Sequence, residues 1–386
     1  MSVQIDPDLL MNLKKFGVAD AATCFNCGNC TAVCSLSSET NPFPRKTIRY
    51  LQLGLKDKLM TNPEPWLCYY CGDCSDTCPR QANPGEVMMG LRRYLISTYE
   101  PTGLARLFYR NNLFASLLTT AIAFILGILL VLTGPVYTGN ISPVSRWLFD
   151  LVDYHVVEYL GIAVFLVVAV SMLGGLKNII TVLARNASGT ANPDGMKNSG
   201  PFKFAYFFNS AWKAVKEVFS LKRYQSCNEG IDSRWYLKPW FIHGSIMWGF
   251  FGLALATVLD IPLLGFKAAD AAAWLPSRIL GIGAGLFLVY GTTIALFRRI
   301  RKADKMVEHS RFSDWLFLLI LWALGITGFW LTLSVYFFQA DRLHQLVLLI
   351  HTVMAMELLL LFAFSKFAHA VYRPIALFFY YLYEGK

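Results

Sequence analysis

Six long apolar stretches separated by short polar segments dominate the chain after residue 110. Each stretch approaches the ~20 residues that a helix needs to cross the ~30 Å hydrocarbon core of a bilayer. A segment inside lipid must satisfy its own backbone hydrogen bonds, so we expect all six to be transmembrane helices. The predicted spans are 113–133, 155–180, 239–260, 274–297, 313–338 and 344–371.

The first 100 residues show no such stretch and mix polar, charged and cysteine residues. They contain ten Lys or Arg and ten Asp or Glu, so the net charge of +10 arises entirely after residue 100. Nucleic-acid binding is one explanation for that excess. Its distribution among the membrane segments favours another, because basic residues accumulate on the cytoplasmic side of membrane proteins.

Only four basic residues fall in segments on the opposite side from the N-terminus: Arg146, Lys267, Arg278 and Arg342. The first residues are acidic and lack the apolar core of a signal peptide. We therefore predict a multi-pass protein of the inner (cytoplasmic) membrane with both termini in the cytoplasm. The basic amphipathic stretch 211–224 then lies on the inner membrane surface, or packs as an ordinary helix on the cytoplasmic part.

The N-terminal part contains one four-cysteine motif twice, and each copy is called a phrase below. The copies are CFNCGNCTAVC from Cys24 and CYYCGDCSDTC from Cys68. Both phrases have the spacing C-x2-C-x2-C-x3-C, and corresponding cysteines lie 44 residues apart. Cytoplasmic thiols stay reduced, so metal ligation is favoured over disulfides. The phrase is typical of [4Fe–4S] clusters, and a pair of zinc sites is the alternative.

In two-cluster ferredoxins the fourth cysteine of each phrase binds the other cluster. The expected ligands are Cys24, Cys27, Cys30 and Cys78 for cluster one, and Cys68, Cys71, Cys74 and Cys34 for cluster two. The 33 residues between the phrases resemble the helical type of ferredoxin domain. Cys227 is left over and is interpreted as an ordinary polar-loop residue.

Histidines in or beside the spans indicate haem, since ionisable groups inside membranes are costly and usually functional. His351 and His369 are 18 residues apart, which on one helix is five turns and about 27 Å along the axis. We expect one haem b near each membrane surface, with His243 pairing with His369 on the inner side and His155 with His351 on the outer side. His344 is the reserve outer ligand, and hydrogen bonding or quinone binding is the alternative role for each histidine.

Charged residues near these histidines complete the predicted sites. Lys366 and Arg373 flank His369 by one turn and are candidates for contacting haem propionates. Asp153, Glu158 and Glu357 are candidates for a quinone site, because oxidation of a quinol needs a nearby proton acceptor.

Together these motifs resemble known oxidoreductase components. Residues 1–100 resemble the iron–sulfur C subunit of heterodisulfide reductase, and the membrane half resembles that enzyme's cytochrome b subunit and, more distantly, the gamma subunit of respiratory nitrate reductase. The fused order resembles the C-subunit family of the quinone-interacting membrane-bound oxidoreductase complexes of sulfate reducers. The nitrate reductase pattern has a second histidine ten residues after the first; here position 253 is Leu253.

The resemblance implies electron exchange between menaquinone and flavin/iron–sulfur partner subunits, with adenylylsulfate reductase as the soluble enzyme served. We therefore predict an all-α protein: an α-helical two-[4Fe–4S] ferredoxin-like domain over residues 1–105, fused to a six-helix transmembrane cytochrome b bundle over residues 106–386. Its predicted function is electron transfer through haem b and two clusters in sulfate respiration. The alternatives are the membrane subunit of a heterodisulfide-reductase-like complex, and a haem-free membrane anchor or transporter.

Overall fold

The structure, a computed structural model, describes residues 4–18, 20–39, 41–132, 149–190, 202–225, 234–259, 275–303, 305–337 and 341–383. These residues form helices and turns, and no β-strand occurs among them. The all-α prediction is therefore confirmed. Cys227 and the segment around Arg146 lie outside the described residues.

Short helices build the N-terminal part around the cysteine loops. They are α1 (Leu9–Lys14), α2 (Asn29–Val33), α3 (Arg45–Gln52), α4 (Lys56–Met60), α5 (Glu64–Leu67), α6 (Asp73–Asp76), α7 (Pro84–Tyr99) and α8 (Leu104–Arg110). The long helix α7 carries the core of this part and is buried along most of its length. The predicted boundary at residue 105 falls inside α8.

Longer helices follow, and six of them can span a membrane by length and composition. The helices are α9 (Asn112–Leu132), α10 (Tyr154–Thr190), α11 (Phe202–Ser220), α12 (Lys222–Gln225), α13 (Pro239–Leu259), α14 (Leu275–Ile300), α15 (Lys305–Glu308), α16 (Phe312–Phe337), α17 (Arg342–Phe362) and α18 (His369–Tyr383). The candidate spans are α9, α10, α13, α14, α16 and α17. The prediction of six membrane helices is thus confirmed.

The sixth predicted span, 344–371, is wrong as one continuous helix, because α17 ends at Phe362 and α18 begins only at His369. Between them Ser365 adopts an extended conformation, and its Oγ accepts the N–H of Phe367 at 3.3 Å. A local side-chain bond of this kind offers the backbone an alternative to the helical ladder. His351 and His369 therefore lie on different helices, so the five-turn spacing does not describe their relation.

Two glycines let α13 and α14 approach closely. A Cβ added at Gly249 would lie 2.6 Å from the backbone nitrogen of Leu288, and one at Gly291 would lie 2.9 Å from the carbonyl oxygen of Ile242. Contacts this short exclude any side chain at either position. Small residues at helix crossings are the usual route to tight packing in membranes.

An aromatic cluster joins the iron–sulfur part to the membrane helices. Trp66 of α5 stacks on Tyr99 of α7 with ring centroids 6.3 Å apart, and it meets Tyr372 of α18 edge-on at 5.7 Å. All three rings are buried. Asn178 of α10 also donates to the carbonyl of Tyr99 at 2.7 Å. The two parts of the chain therefore share one core rather than meeting only through a linker.

A buried chain of charges crosses the same interface. Arg93 donates to Glu86 at 2.8 Å and to Asp314 at 3.0 Å, and Asp314 accepts a second bond from Lys366 at 2.8 Å. Glu86 in turn accepts the hydroxyl of Tyr70 at 2.6 Å. The chain thus runs from the second cysteine loop through α7 to the start of α16 and the turn before α18.

We predict that Asp314→Asn weakens this interface. Removing one partner of a buried ion pair leaves the others uncompensated, at a cost of about 3–5 kcal/mol. The apparent melting temperature of the purified protein in lipid nanodiscs should fall well below that of the wild type. Asp57→Asn is the matched control, because Asp57 is exposed and its loss should leave the melting temperature unchanged. Equal melting temperatures for Asp314→Asn and wild type would contradict a stabilising role for this chain of charges.

Candidate cofactor sites

The two cysteine loops repeat one backbone geometry. Asn26 and Tyr70, at equivalent positions, both have φ of 57°, and the glycines that follow, Gly28 and Gly72, have φ of 98° and 96°. Each glycine then begins a short helix, α2 or α6. A left-handed conformation is the one in which glycine carries no steric penalty. The repeat in sequence is therefore a repeat in backbone conformation.

Backbone amides also point at the sulfurs in equivalent places. The N–H of Asn26 donates to Cys24 Sγ at 3.4 Å, and the N–H of Tyr70 donates to Cys68 Sγ at 3.3 Å. Hydrogen bonds to cluster sulfurs are one of the means by which proteins set cluster reduction potentials. Both loops are thus shaped to stabilise negative charge on sulfur.

The surroundings of Cys30 bring four thiols together. Burial raises the pKa of the Cys30 thiol, and the sulfurs of Cys24, Cys27 and Cys78 raise it further. Three of these cysteines come from the first phrase and one from the end of the second. This is the first of the two sets expected from the sequence.

The surroundings of Cys74 include two further members of the second set, Cys68 and Cys34, together with Cys30 of the first set. Burial raises the pKa of the Cys74 thiol well above its usual range, and Cys68, Cys34 and Cys30 raise it further. Here the crossing cysteine is Cys34, from the end of the first phrase. No three His, Cys, Asp or Glu side chains within the described ranges converge on a point suited to a single metal ion. A four-iron cube instead spreads its four thiolates, since each of them binds a different iron.

The loops differ in what surrounds them. The first loop faces outward: Cys27 is exposed, and Phe25 is 70% exposed with Arg80 over its ring at 4.1 Å. The second loop faces inward, with Cys68 and Tyr69 buried. Two cofactors held in these loops would therefore meet different environments, one at the surface and one beneath the membrane helices.

A cavity of about 330 Å³ lies between the second loop and the membrane helices. It is mostly apolar, and its polar lining includes His243, His369, Tyr69, Tyr70, Arg92 and Arg373. His243 comes from the start of α13 and His369 from the start of α18, and the two rings lie within electrostatic range of each other. The structure thus brings together the two histidines predicted as the inner pair.

The orientation of His369 is defined by the helix break. Its Nδ1 lies 2.5 Å from the carbonyl oxygen of Lys366. A carbonyl only accepts hydrogen bonds, so Nδ1 carries the proton and Nε2 keeps its lone pair. Histidines that bind metals commonly have this arrangement, with the second nitrogen held by a backbone carbonyl.

The two predicted propionate contacts differ in the structure. The Nζ of Lys366 is already paired with Asp314 at 2.8 Å. The guanidinium of Arg373 lies over the ring of Tyr69 at 3.8 Å, and its Nε and Nη2 are buried without a hydrogen-bond acceptor among the described residues. Buried donors of a charged group without an acceptor are costly. Arg373 is therefore a cation that fits an anionic group in the cavity, and Arg299, whose buried Nε and Nη1 also have no acceptor among the described residues, is another.

Arg92 connects the cavity wall to the second loop, although it belongs to none of the sequence motifs. Its Nε donates to the carbonyl of Pro65 at 2.5 Å, and its Nη2 donates to the carbonyl of Cys68. Burial lowers the pKa of Arg92 to about 10, which leaves the guanidinium charged at neutral pH. A fixed positive charge thus sits directly beside a cysteine of the second set. The sequence signal that could have identified Arg92 was the presence of charged residues inside the otherwise apolar α7.

The outer histidines are arranged differently from the prediction. His351 Nδ1 lies 2.8 Å from Thr327 Oγ1 of α16. His344 stacks on Trp330 of the same helix at 6.0 Å. Both rings therefore face α16. The opposite face of α17, which includes Leu349 and Val353, packs in a cluster with α9 and α10.

The structure does not bring His155 and His351 together, because His351 faces α16 while α10 packs on the opposite face of α17. His155 lies at the start of α10, where its Nδ1 is 3.8 Å from Glu158 and its side chain is 42% exposed. Asp153 caps α10, since its Oδ1 accepts the N–H of His155 at 2.7 Å. Glu357 is buried within α17. These candidates for a quinone site are not gathered around one described cavity.

Comparisons with known proteins agree on the N-terminal part. Residues 20–82 match the model of the 4Fe–4S dicluster domain. A protein of Archaeoglobus profundus that is named as similar to the C subunit of heterodisulfide reductase is 36% identical over 94 residues, which are 24% of this chain and 50% of that protein. The C subunit of the H(2):CoB-CoM heterodisulfide,ferredoxin reductase of Methanothermobacter thermautotrophicus is 33% identical over 84 residues, or 22% of this chain and 45% of that protein.

A third relative is the C subunit of the ferredoxin:CoB-CoM heterodisulfide reductase of Methanosarcina mazei, which is 30% identical over 89 residues, covering 23% of this chain and 54% of that protein. The chain thus spans about half the length of these relatives. No solved structure matches the chain. The protein combines a 4Fe–4S dicluster domain with six helices able to cross a membrane.

Proposed function

We propose that this chain is a membrane electron-transfer subunit that passes electrons between a haem b in the cavity and two [4Fe–4S] clusters, within a heterodisulfide-reductase-like oxidoreductase complex. One observation carries the proposal. The cavity that holds His243 and His369 is walled by Tyr69 and Tyr70, the two residues between Cys68 and Cys71. A cofactor between these histidines would lie against the loop that binds the second cluster.

The proposed cluster ligands follow the two thiol groupings. Cluster one takes Cys24, Cys27, Cys30 and Cys78, and cluster two takes Cys68, Cys71, Cys74 and Cys34. The interactions around Cys30 and Cys74 support this exchange of the fourth cysteine. The proposed iron–sulfur domain covers residues 1–105 and the membrane domain covers residues 106–386.

The residues of the cavity suit a haem b. His243 and His369 approach from two different helices, and the Nε2 of His369 has its lone pair available. Arg373 offers unpaired donors to a propionate. Apolar side chains from α13 and α16 supply the remaining surroundings. When bound, the haem would supply one-electron transfer at a potential that its axial ligands and burial determine.

Burial supports an order for the cofactors. Cluster two would lie beneath the membrane helices, beside the cavity, while cluster one would lie near the exposed Cys27. Electrons would leave or enter through cluster one, where a soluble flavin/iron–sulfur partner has access. With the N-terminus in the cytoplasm, the cavity lies at the inner surface of the cytoplasmic membrane.

The electron donor or acceptor in lipid is proposed to be menaquinone, as the resemblance to the quinone-interacting complexes of sulfate reducers implies. Adenylylsulfate reduction is then the process served. His351 is retained as a ligand of a second, outer haem. The hydroxyl of Thr327 donates to the carbonyl of Ala323, so it accepts from Nδ1 of His351 and leaves Nε2 of that ring available.

We predict that His369→Ala and His243→Ala each remove the same haem. Both variants would lose an axial ligand from one site, so the haem content per chain should fall by an equal amount, and the double variant should lose no more. Pyridine haemochrome absorbance of purified protein measures this content. Asp57→Asn is the control, because Asp57 is exposed on α4 and is not among the residues that line the cavity. Full haem content in His369→Ala would refute the site.

We predict that Cys78→Ser damages cluster one and spares cluster two. Serine is a poorer ligand for iron, and only the cluster with Cys24, Cys27 and Cys30 loses a thiolate. Mössbauer and EPR spectra of reduced protein should then retain one unperturbed [4Fe–4S] signal. Cys34→Ser is the matched variant and should perturb the other signal. If the two variants perturbed the same cluster, the exchange of the fourth cysteine would be wrong.

We predict that Arg92→Met lowers the reduction potential of cluster two. A positive charge beside Cys68 favours the reduced, more negative cluster, and its removal should shift the one-electron equilibrium about tenfold, or ~59 mV. EPR-monitored redox titration measures the shift. Arg92→Lys retains the charge and should restore most of the potential. Cluster one should be unaffected, so a shift of both clusters by the same amount would point to a general structural change instead.

A further inference from the structure

Helix α11 presents three distinct faces. Its buried face carries Ser210, Ala214 and Glu217, which are 2%, 2% and 8% exposed. These side chains pack toward α18, where Ser210 donates to the carbonyl of Tyr381 at 3.4 Å. This contact with α18 fixes the position of α11 and therefore determines the direction in which its other faces point.

The opposite face is largely aromatic and partly exposed. Phe208, Trp212, Val215 and Phe219 follow the spacing of one helix face and are 54%, 66%, 43% and 37% exposed. Four neighbouring, partly exposed apolar side chains form a contiguous strip, and exposed apolar patches on a protein surface mark interaction sites. The helices that the structure describes leave these side chains largely open.

This strip is continuous with a membrane span. The ring of Phe219 lies 5.1 Å from that of Trp248 and 5.7 Å from that of Phe251, both on α13. Trp248 and Phe251 are themselves 50% and 40% exposed on a helix that can cross the bilayer. A bilayer around α13 would therefore also reach the strip on α11.

Basic residues lie along one edge of the strip. Lys213 and Lys216 are exposed on the flank of the helix next to Trp212, and Lys222 follows just beyond its end. Aromatic side chains with lysines at their border are typical of helices that lie in the plane of an anionic membrane surface.

We propose that α11 is an in-plane membrane helix, whose aromatic face enters the bilayer interface while Lys213 and Lys216 contact anionic phospholipid headgroups. The sequence left open whether this segment lies on the membrane or packs as an ordinary helix. The structure assigns both roles to different faces of the same helix.

The buried face gives this membrane contact a consequence for the cofactor sites. Glu217 accepts the hydroxyl of Tyr69 at 3.1 Å and also that of Tyr381. Arg223 Nη2 lies 3.3 Å from the same carboxylate. Tyr69 belongs to the second cysteine loop, so the lipid-seated helix is one of the supports of that loop. The lipid surface thereby helps to hold the loop beneath the membrane helices.

The test places a nitroxide label at position 212. The full chain with its cofactors is used in nanodiscs, with Cys227→Ser to remove the cysteine outside the two motifs and Trp212→Cys to receive the label. EPR power saturation then compares relaxation by oxygen, which concentrates in lipid, with relaxation by a water-soluble nickel chelate. Asp57→Cys provides a label on the exposed surface of the N-terminal part as the matched control.

The label at 212 should respond at least threefold more to oxygen than to nickel, relative to the label at 57. Equal accessibility of both labels to nickel would overturn the proposal. A label shielded from both reagents only when a soluble partner protein is added would show that a protein covers the strip, and would also overturn it.

A second arm tests the headgroup contact. Discs of phosphatidylglycerol should give a higher oxygen-to-nickel ratio at 212 than discs of phosphatidylcholine, and Lys213→Gln with Lys216→Gln should remove that difference. Ratios that are identical in the two lipids for the unaltered lysines would overturn the assignment of anionic headgroups.

Discussion

The buried chain of charges from Glu86 to Lys366 is the constraint on which the arrangement of sites depends. Taking four charges out of water is unfavourable unless each finds its partners. Here Arg93 bridges two carboxylates, and Asp314 receives two cations. The members of this chain of charges come from α7, α16 and the turn before α18. Their contacts can therefore form only when the iron–sulfur part is packed against the membrane helices.

Seating at this point determines the position of His369. Lys366 contributes its ammonium to the charge chain and its carbonyl to the ring of His369. The same residue therefore anchors the turn and orients the histidine. The interruption between α17 and α18 is thus part of how the cavity is built.

The two cysteine phrases show how one local structure serves two environments. Their backbones agree closely at the glycines and at the residues before them. The neighbouring side chains do not agree: Phe25 projects from the surface, whereas Tyr69 is buried and held by Glu217. Burial, charge and hydrogen bonding tune iron–sulfur centres, so two copies of one motif can be set to different potentials. A directed path for electrons through two clusters needs such a difference in their reduction potentials.

The sequence by itself determined the class of the protein. Hydropathy over windows of about 20 residues indicates membrane helices because each residue contributes independently to transfer into lipid. The cysteine spacing indicates the iron–sulfur loops because a short loop has few ways to present three thiolates. The exchange of the fourth cysteines, Cys34 and Cys78, was predicted from the pattern of two-cluster ferredoxins and stays a prediction.

Only the tertiary structure decided which distant residues meet. A break in a helix at Ser365 depends on one side-chain bond and is invisible to hydropathy, so the relation of His351 to His369 was misjudged. His155 and His351 were paired by depth alone, but depth in the membrane does not say which face of α17 a ring occupies, and the structure does not bring the two residues together. Arg92, Asp314 and Glu217 belong to no cofactor motif in the sequence, and their roles arise from partners far away in the chain. Contacts of that range are fixed by packing, which no local pattern encodes.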